Sequence, residues 1–118
     1  MDLEDKGLIL AHMINEKVLD GASQEVLTFV KINEQGNFLD EKRSYAELWK
    51  NDHKVAHHLL DEKMQQGDSF AIIMQNHPEF VDTMVGSSII GTIFVPIDPR
   101  TKGKKLAFML NHADCKGA

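Results

Sequence analysis

Two short, unbroken apolar runs, Phe70-Ala71-Ile72-Ile73-Met74 and Thr92 to Ile97, limit most sharply what this chain can fold into. A strand with one wet face alternates polar and apolar residues, whereas a continuous run expects burial on both faces, as in a parallel sheet. Between the runs, Pro78 suits the first turn of a helix, where its missing N–H would have had no helical partner. Phe80, Val81, Met84, Val85, Ser88 and Ile89 carry that helix to Gly91. Strand, helix and strand in this order predict a βαβ unit with a right-handed crossover. Gln66-Gly67-Asp68 supplies the turn into the first strand. Thr101 is expected to cap a last helix with Leu106, Ala107, Met109 and Leu110 inward, and Cys115 to Ala118 reads as the entry to a third parallel strand. An open edge of that kind pairs with other chains, so self-association is expected.

Upstream, Ser44 followed by Glu47 has the spacing of a capping box, in which the serine hydroxyl and the glutamate carboxylate each accept an end amide. The helix it opens is expected to run to about Met64. Tyr45, Leu48, Trp49, Val55, Ala56, Leu59 and Leu60 fall on one arc, with Lys50, Lys54, Asp61 and Glu62 outside it. Asp52 falls inside the apolar arc, which implies either a wet edge or a partner. Leu8, Ile9, Ala11, Met13, Ile14 and Val18 predict an amphipathic helix from about Asp5 to Leu19, ended near Gly21. Val26 to Ile32, the turn residues Asn33-Glu34-Gln35-Gly36-Asn37, and Phe38 to Arg43 predict a β-hairpin of unspecified register. The fold class is α/β: residues 1–43 form a leading helix and hairpin, and residues 44–118 form a βαβ portion.

A chain of 118 residues is one domain or part of one. Its formal charge of −5 argues against non-specific nucleic-acid binding, which needs a basic footprint that Lys102, Lys104 and Lys105 are too few to provide. The single cysteine, Cys115, cannot form an internal disulfide. The acidic start, Met1-Asp2-Leu3-Glu4-Asp5, is unlike a secretory signal, and no apolar run approaches a membrane span. A cytoplasmic location is expected.

Several catalytic patterns are excluded. Gly86-Ser87-Ser88-Ile89-Ile90-Gly91-Thr92 has the glycine spacing of a phosphate loop, but it lacks the lysine and runs from helix to strand instead of strand to helix. Packing of small residues explains it better. No dinucleotide fingerprint, nucleophile elbow or paired-cysteine zinc pattern is present. His53 and His57, four apart on a helix, could share a metal ion but have no third ligand nearby. His77, just before Pro78, lies beside the carboxyl end of a strand, where ligands of open α/β sheets gather; helix capping is its plainer role. Arg100 follows Asp98-Pro99 beyond the second strand and beside a helix start. It suits a phosphate there, or else it pairs with a surface carboxylate.

Taken in order, Ser44-Tyr45-Ala46-Glu47-Leu48, Gly67-Asp68, Asn76-His77-Pro78-Glu79-Phe80, Gly91-Thr92-Ile93-Phe94-Val95-Pro96 and Asp98-Pro99-Arg100 resemble the N-terminal region of AMP-forming acyl-CoA synthetases and ligases. The resemblance covers residues 44–118, and the first 43 fit the family's usual helix and hairpin. It implies a parent that joins a carboxylic acid to AMP with release of pyrophosphate and then passes the acyl group to coenzyme A, using ATP and Mg2+. It also implies that Arg100 approaches the CoA nucleotide. The family's phosphate loop, ribose-binding aspartate and C-terminal lysine have no counterpart among these residues, so this chain is expected to be inactive alone, with no catalytic residue and no metal site. His77 stands where the family usually has a serine cap, and Gly103 and Lys104 replace acidic residues. Two other readings are a self-contained flavodoxin-like binding or signalling module and a noncatalytic interaction domain using the open sheet edge. The first would need acidic residues at its strand ends, and Asp98 alone lies just beyond one.

Overall fold

The structure, a computed structural model, describes residues 9–118. Its elements are α1 (Leu10–Gly21), β1 (Glu25–Ile32), β2 (Phe38–Ser44), α2 (Tyr45–Asp61), β3 (Ser69–Ile72), α3 (Pro78–Ile90), β4 (Ile93–Pro96) and α4 (Gly103–His112). The expected start of the leading helix, from Asp5, lies outside the described residues. The chain forms two compact units, one through Asn51 and one from Asp52 onward.

In the first unit β1 and β2 pair antiparallel, with Ile32 opposite Phe38, Val30 opposite Asp40 and an irregularity between Glu25 and Leu27. The turn is held by Asn33, whose Oδ1 accepts the amides of Gln35 and Asn37 at 3.0 and 2.9 Å. Gly36 takes the left-handed conformation (φ 80°) that closes it. The capping box forms as its spacing predicts: Glu47 N donates to Ser44 Oγ at 3.2 Å, and Ser44 N to Glu47 Oε2 at 3.0 Å.

In the second unit α2 ends at Asp61, earlier than expected. Lys63 turns left-handed (φ 65°), Met64 N donates to Leu59 O and Lys63 N to Leu60 O, which is the Schellman arrangement. The hydrophobic contact that usually accompanies it is present, because Leu59 and Met64 share a core cluster with Phe70 and Ile72. Leu60, placed on the apolar arc by the sequence pattern, is instead 49% exposed.

β3 and β4 pair in parallel, Ser69 with Ile93 through Ile72 with Pro96. The segment 115–117 lies along β3 as a parallel neighbour: Ser69 bridges Cys115, Lys116 N donates to Ser69 O, and Ala71 N donates to Gly117 O, both at 2.8 Å. Lys116 Nζ reaches Asp68 Oδ1 at 3.0 Å. The third-strand entry is therefore present, and β3 has a neighbour on each side. Phe70, Ala71 and Ile72 are buried, as a continuous apolar run demands, but the strand ends at Ile72, Ile73 is 37% exposed and Met74 is half-buried. β4 departs from that expectation. Ile93 is 51% exposed and Phe94 and Val95 are half-buried, because α3 is the helix that packs against this strand and its remaining surface stays wet.

Two expectations about α4 also fail. Lys102, not Thr101, holds the N-cap position, without a side-chain cap, and Ala107 is exposed while Leu106, Met109 and Leu110 are half-buried. Left-handed Gly103 (φ 60°) delays the helix beyond the reach of the threonine.

The glycine-spaced stretch in α3 is a packing device. A Cβ on Gly86 would stand 2.7 Å from the Asp52 carbonyl oxygen and 2.8 Å from Val55 Cβ, so α3 approaches α2 as closely as backbone allows. At the end of the helix Ser87 Oγ bonds the Thr92 carbonyl and hydroxyl at 2.9 and 2.8 Å, and left-handed Gly91 closes the turn.

Candidate functional site

The carboxyl ends of β3 and β4 face a depression of about 350 Å³ lined by Met74, Gln75, Phe80 and the Pro96–Arg100 turn. Apolar Phe80, Met74 and Ile97 form one part of its wall, and the polar groups come from the turn. Asp98 organises that turn: its carbonyl accepts Thr101 N at 2.9 Å, and its Oδ1 accepts Arg100 N at 2.9 Å. The Arg100 guanidinium folds back on the same carboxylate, with Nε at 3.0 Å from Oδ1 and Nη2 at 2.7 Å from Oδ2. These side-chain bonds, then the backbone bond and the charges of Arg100 and Lys105, hold the Asp98 carboxyl down at about 2.

Arg100 thus makes the surface-carboxylate pair that the sequence offered as its plainer role, while its side chain remains 90% exposed. Nε and Nη2 are engaged, and Nη1 makes no hydrogen bond among the described residues. A guanidinium has five donors in a planar fork, so an Asp98-braced Arg100 can still offer one edge to an anion. Lys102, Lys104 and Lys105 follow it in sequence, all exposed.

His77 does occupy the N-cap position of α3, but its side chain makes no capping bond; its carbonyl accepts Phe80 N at 3.0 Å instead. The capping role inferred for this histidine is corrected accordingly: its extended backbone (φ −118°, ψ 157°) performs the cap by the carbonyl alone. His53 and His57 gain no third ligand. Among the described residues no group of three or more His, Cys, Asp or Glu could hold a metal ion.

A larger cleft of about 840 Å³ runs along β3 and the 116–118 segment, floored by Val55, Leu59, Met64 and Phe70. It shares Met74 with the depression but none of the turn residues.

The pattern reading missed Asp82. It lies on the buried stripe of α3 with Pro78, Val85 and Gly86, three and four residues from its neighbours, which is the spacing that could have flagged it. Asp52, noticed for its place in the apolar arc, is at no wet edge. It is 0% exposed, and the charged group acting on it is Asp82.

A family model described as AMP-binding enzyme matches residues 23–118. The 4-hydroxybutyrate–CoA ligase 2 of Metallosphaera sedula is 29% identical over 79 residues, 67% of this chain and 14% of that ligase. A medium/long-chain-fatty-acid–CoA/3-oxocholest-4-en-26-oate–CoA ligase of Mycobacterium tuberculosis is 31% identical over 75 residues, 64% of this chain and again 14% of the relative. Among solved structures, the fatty acid AMP ligase of Legionella pneumophila superposes with a TM-score of 0.79 at 21% identity, covering 97% of this chain and 20% of that one. That likeness shows the fold. The chain spans about a seventh of the length of the curated ligases it matches. No helix among the described residues is long and apolar enough to cross a membrane.

Proposed function

The chain belongs to the AMP-binding enzyme family and has the fold of the N-terminal part of adenylate-forming ligases, and from that premise we propose that it is the structural N-terminal segment of an ATP-dependent carboxylate–CoA ligase. In that reaction a carboxylate oxygen attacks the α-phosphorus of ATP and pyrophosphate leaves. The CoA thiol then attacks the acyl carbon, and AMP leaves. The observation that carries this reading is the family match across 23–118, and relatives named as CoA ligases support it.

The segment's part is architectural. β3 and the 115–117 segment supply central sheet, and α2 and α3 pack closely through Gly86. The ATP that the parent ligase uses would carry Mg2+ on its phosphates. Arg100 is the residue this segment contributes to substrate binding. Braced by Asp98, it turns its remaining guanidinium edge to a phosphate of the CoA nucleotide, a charge-assisted contact of the kind arginine forms well.

The family's phosphate loop, ribose-binding aspartate and C-terminal lysine have no counterpart in these residues, so the segment is expected to be inactive in isolation. Incubated with ATP, Mg2+ and a panel of carboxylic acids, the 118-residue chain should release no pyrophosphate above a blank. Turnover that survives repurification would overturn this assignment.

A further inference from the structure

Asp52 is fully buried, and neither of its carboxyl oxygens has a hydrogen-bond partner among the described residues. A charged carboxylate in that position would have lost its water without compensation, which a protein avoids by leaving the group protonated. Across from α2, Asp82 is 5% exposed on α3. It is the charged group that acts on Asp52, and its sign makes ionisation of Asp52 harder. His53 and Lys54 follow Asp52 on α2, and the charge that acts on the Asp52 carboxyl is that of Asp82. Asp52 stands where the two helices approach closely, since a Cβ built on Gly86 would lie 2.7 Å from the Asp52 carbonyl oxygen and 2.8 Å from Val55 Cβ.

We propose that Asp52 is a proton-held clasp between α2 and α3: as the neutral acid it lets the helices close, and its ionisation loosens them. Asp82 sharpens the response, because a second negative charge facing the first turns a desolvated group into a repelling pair. The loosening is directed toward the depression beside Arg100. α3 starts there, and Phe80 of its first turn lines the wall. The inference does not depend on which reaction the chain serves.

Burial first, and the Asp82 charge second, push the Asp52 carboxyl from 3.8 up to about 8. Between those values the unfolded chain has released the proton and the folded one keeps it. Stability conferred by the closed helices therefore falls as pH rises through that window and levels off above about 8. The dependence is steep enough to matter near neutrality, with up to about a tenfold change in the opening equilibrium per pH unit.

The test uses the 118-residue chain with its aspartate carboxyl carbons labelled. The Asp52 resonance, assigned by its loss in Asp52→Asn, should titrate near pH 8. In Asp82→Asn it should titrate lower but still above the ordinary value, because burial is the larger cause. Amide exchange in α3, referred to Asp52→Asn at the same pH, should accelerate by up to about tenfold per unit from pH 6 to 8 and run parallel beyond. An ordinary titration of Asp52 near pH 4 overturns the proposal, and so does the same pH dependence of α3 exchange in wild type and Asp52→Asn.

Discussion

Replacing Gly86 by alanine puts a methyl group where α3 meets α2. The new Cβ would lie 2.7 Å from the carbonyl oxygen of Asp52, 2.8 Å from Val55 Cβ and 2.9 Å from Val55 Cγ1. Ordinary contact begins at about 3.4 Å, so the helices must part by about 0.7 Å. A flexible side chain could yield cheaply, but these neighbours cannot. One is backbone, and the other is a β-branched stem with a single favoured rotamer in a helix. Overpacking of this kind costs about 1–3 kcal/mol. Alanine returns about 1 kcal/mol through its higher helix propensity. With neighbours this stiff the cost belongs at the upper end of its range, which leaves a net loss of about 2 kcal/mol. Amide exchange at Ala56 and Val85 reads that loss directly as local opening, about thirtyfold faster than in the wild type. Gly21→Ala is the control. Its nearest atom stands 3.7 Å away, so the same substitution at a helix end with room should leave exchange in α1 unchanged or slower. If Gly86→Ala slows exchange in α3, the helix-propensity gain has won and the close-approach argument fails.

Arg100→Ala in the full-length ligase should raise the apparent KM for CoA about tenfold or more, the worth of one charge-assisted phosphate contact; unchanged CoA dependence with impaired adenylation would place Arg100 elsewhere in the reaction. Ser44→Ala removes the hydroxyl that accepts Glu47 N and should weaken the first turn of α2 by about 1 kcal/mol, seen as roughly fivefold faster exchange of its leading amides; equal rates would show that the glutamate half of the box suffices. Sedimentation of the 118-residue chain should reveal concentration-dependent association through an open parallel edge. A monodisperse species with one sharp unfolding transition would instead favour the self-contained module.

Legibility in the sequence followed the range of the interactions. The capping box, the Asn33 turn and the buried run of β3 are local, so Ser44 with Glu47, Asn33 with Gly36, and Phe70-Ala71-Ile72 announced themselves through spacing alone. The end of α2 was missed because a left-handed lysine is an uncommon C′ residue, and Lys63 adopts that conformation through the Leu59–Met64 contact, which spacing does not display. The burial of β4 was overstated because an apolar run records composition but not which layers cover it. At the candidate site, Arg100 was found by its position after Asp98-Pro99. Its engagement by Asp98 is a two-residue loop geometry that a motif cannot specify. Asp82 escaped notice because a single acid in an apolar helix reads as a surface residue until the opposite helix is placed against it.

The segment 115–117 runs beside β3 on the side away from β4. The chain therefore moves one place to one side of β3 and then crosses back over it, so β3 is the pivot about which the winding reverses. Because crossovers of parallel strands are right-handed, α3 and α4 must then lie on opposite faces of the sheet. Loops that depart toward opposite faces part from one another, and the crevice they leave opens at the carboxyl end of the pivot strand, the topological switch point where open α/β sheets take their ligands. At the carboxyl end of β3 stand Ile73-Met74-Gln75, three residues without a motif of their own, whose place in the fold is set by the order of the strands around them.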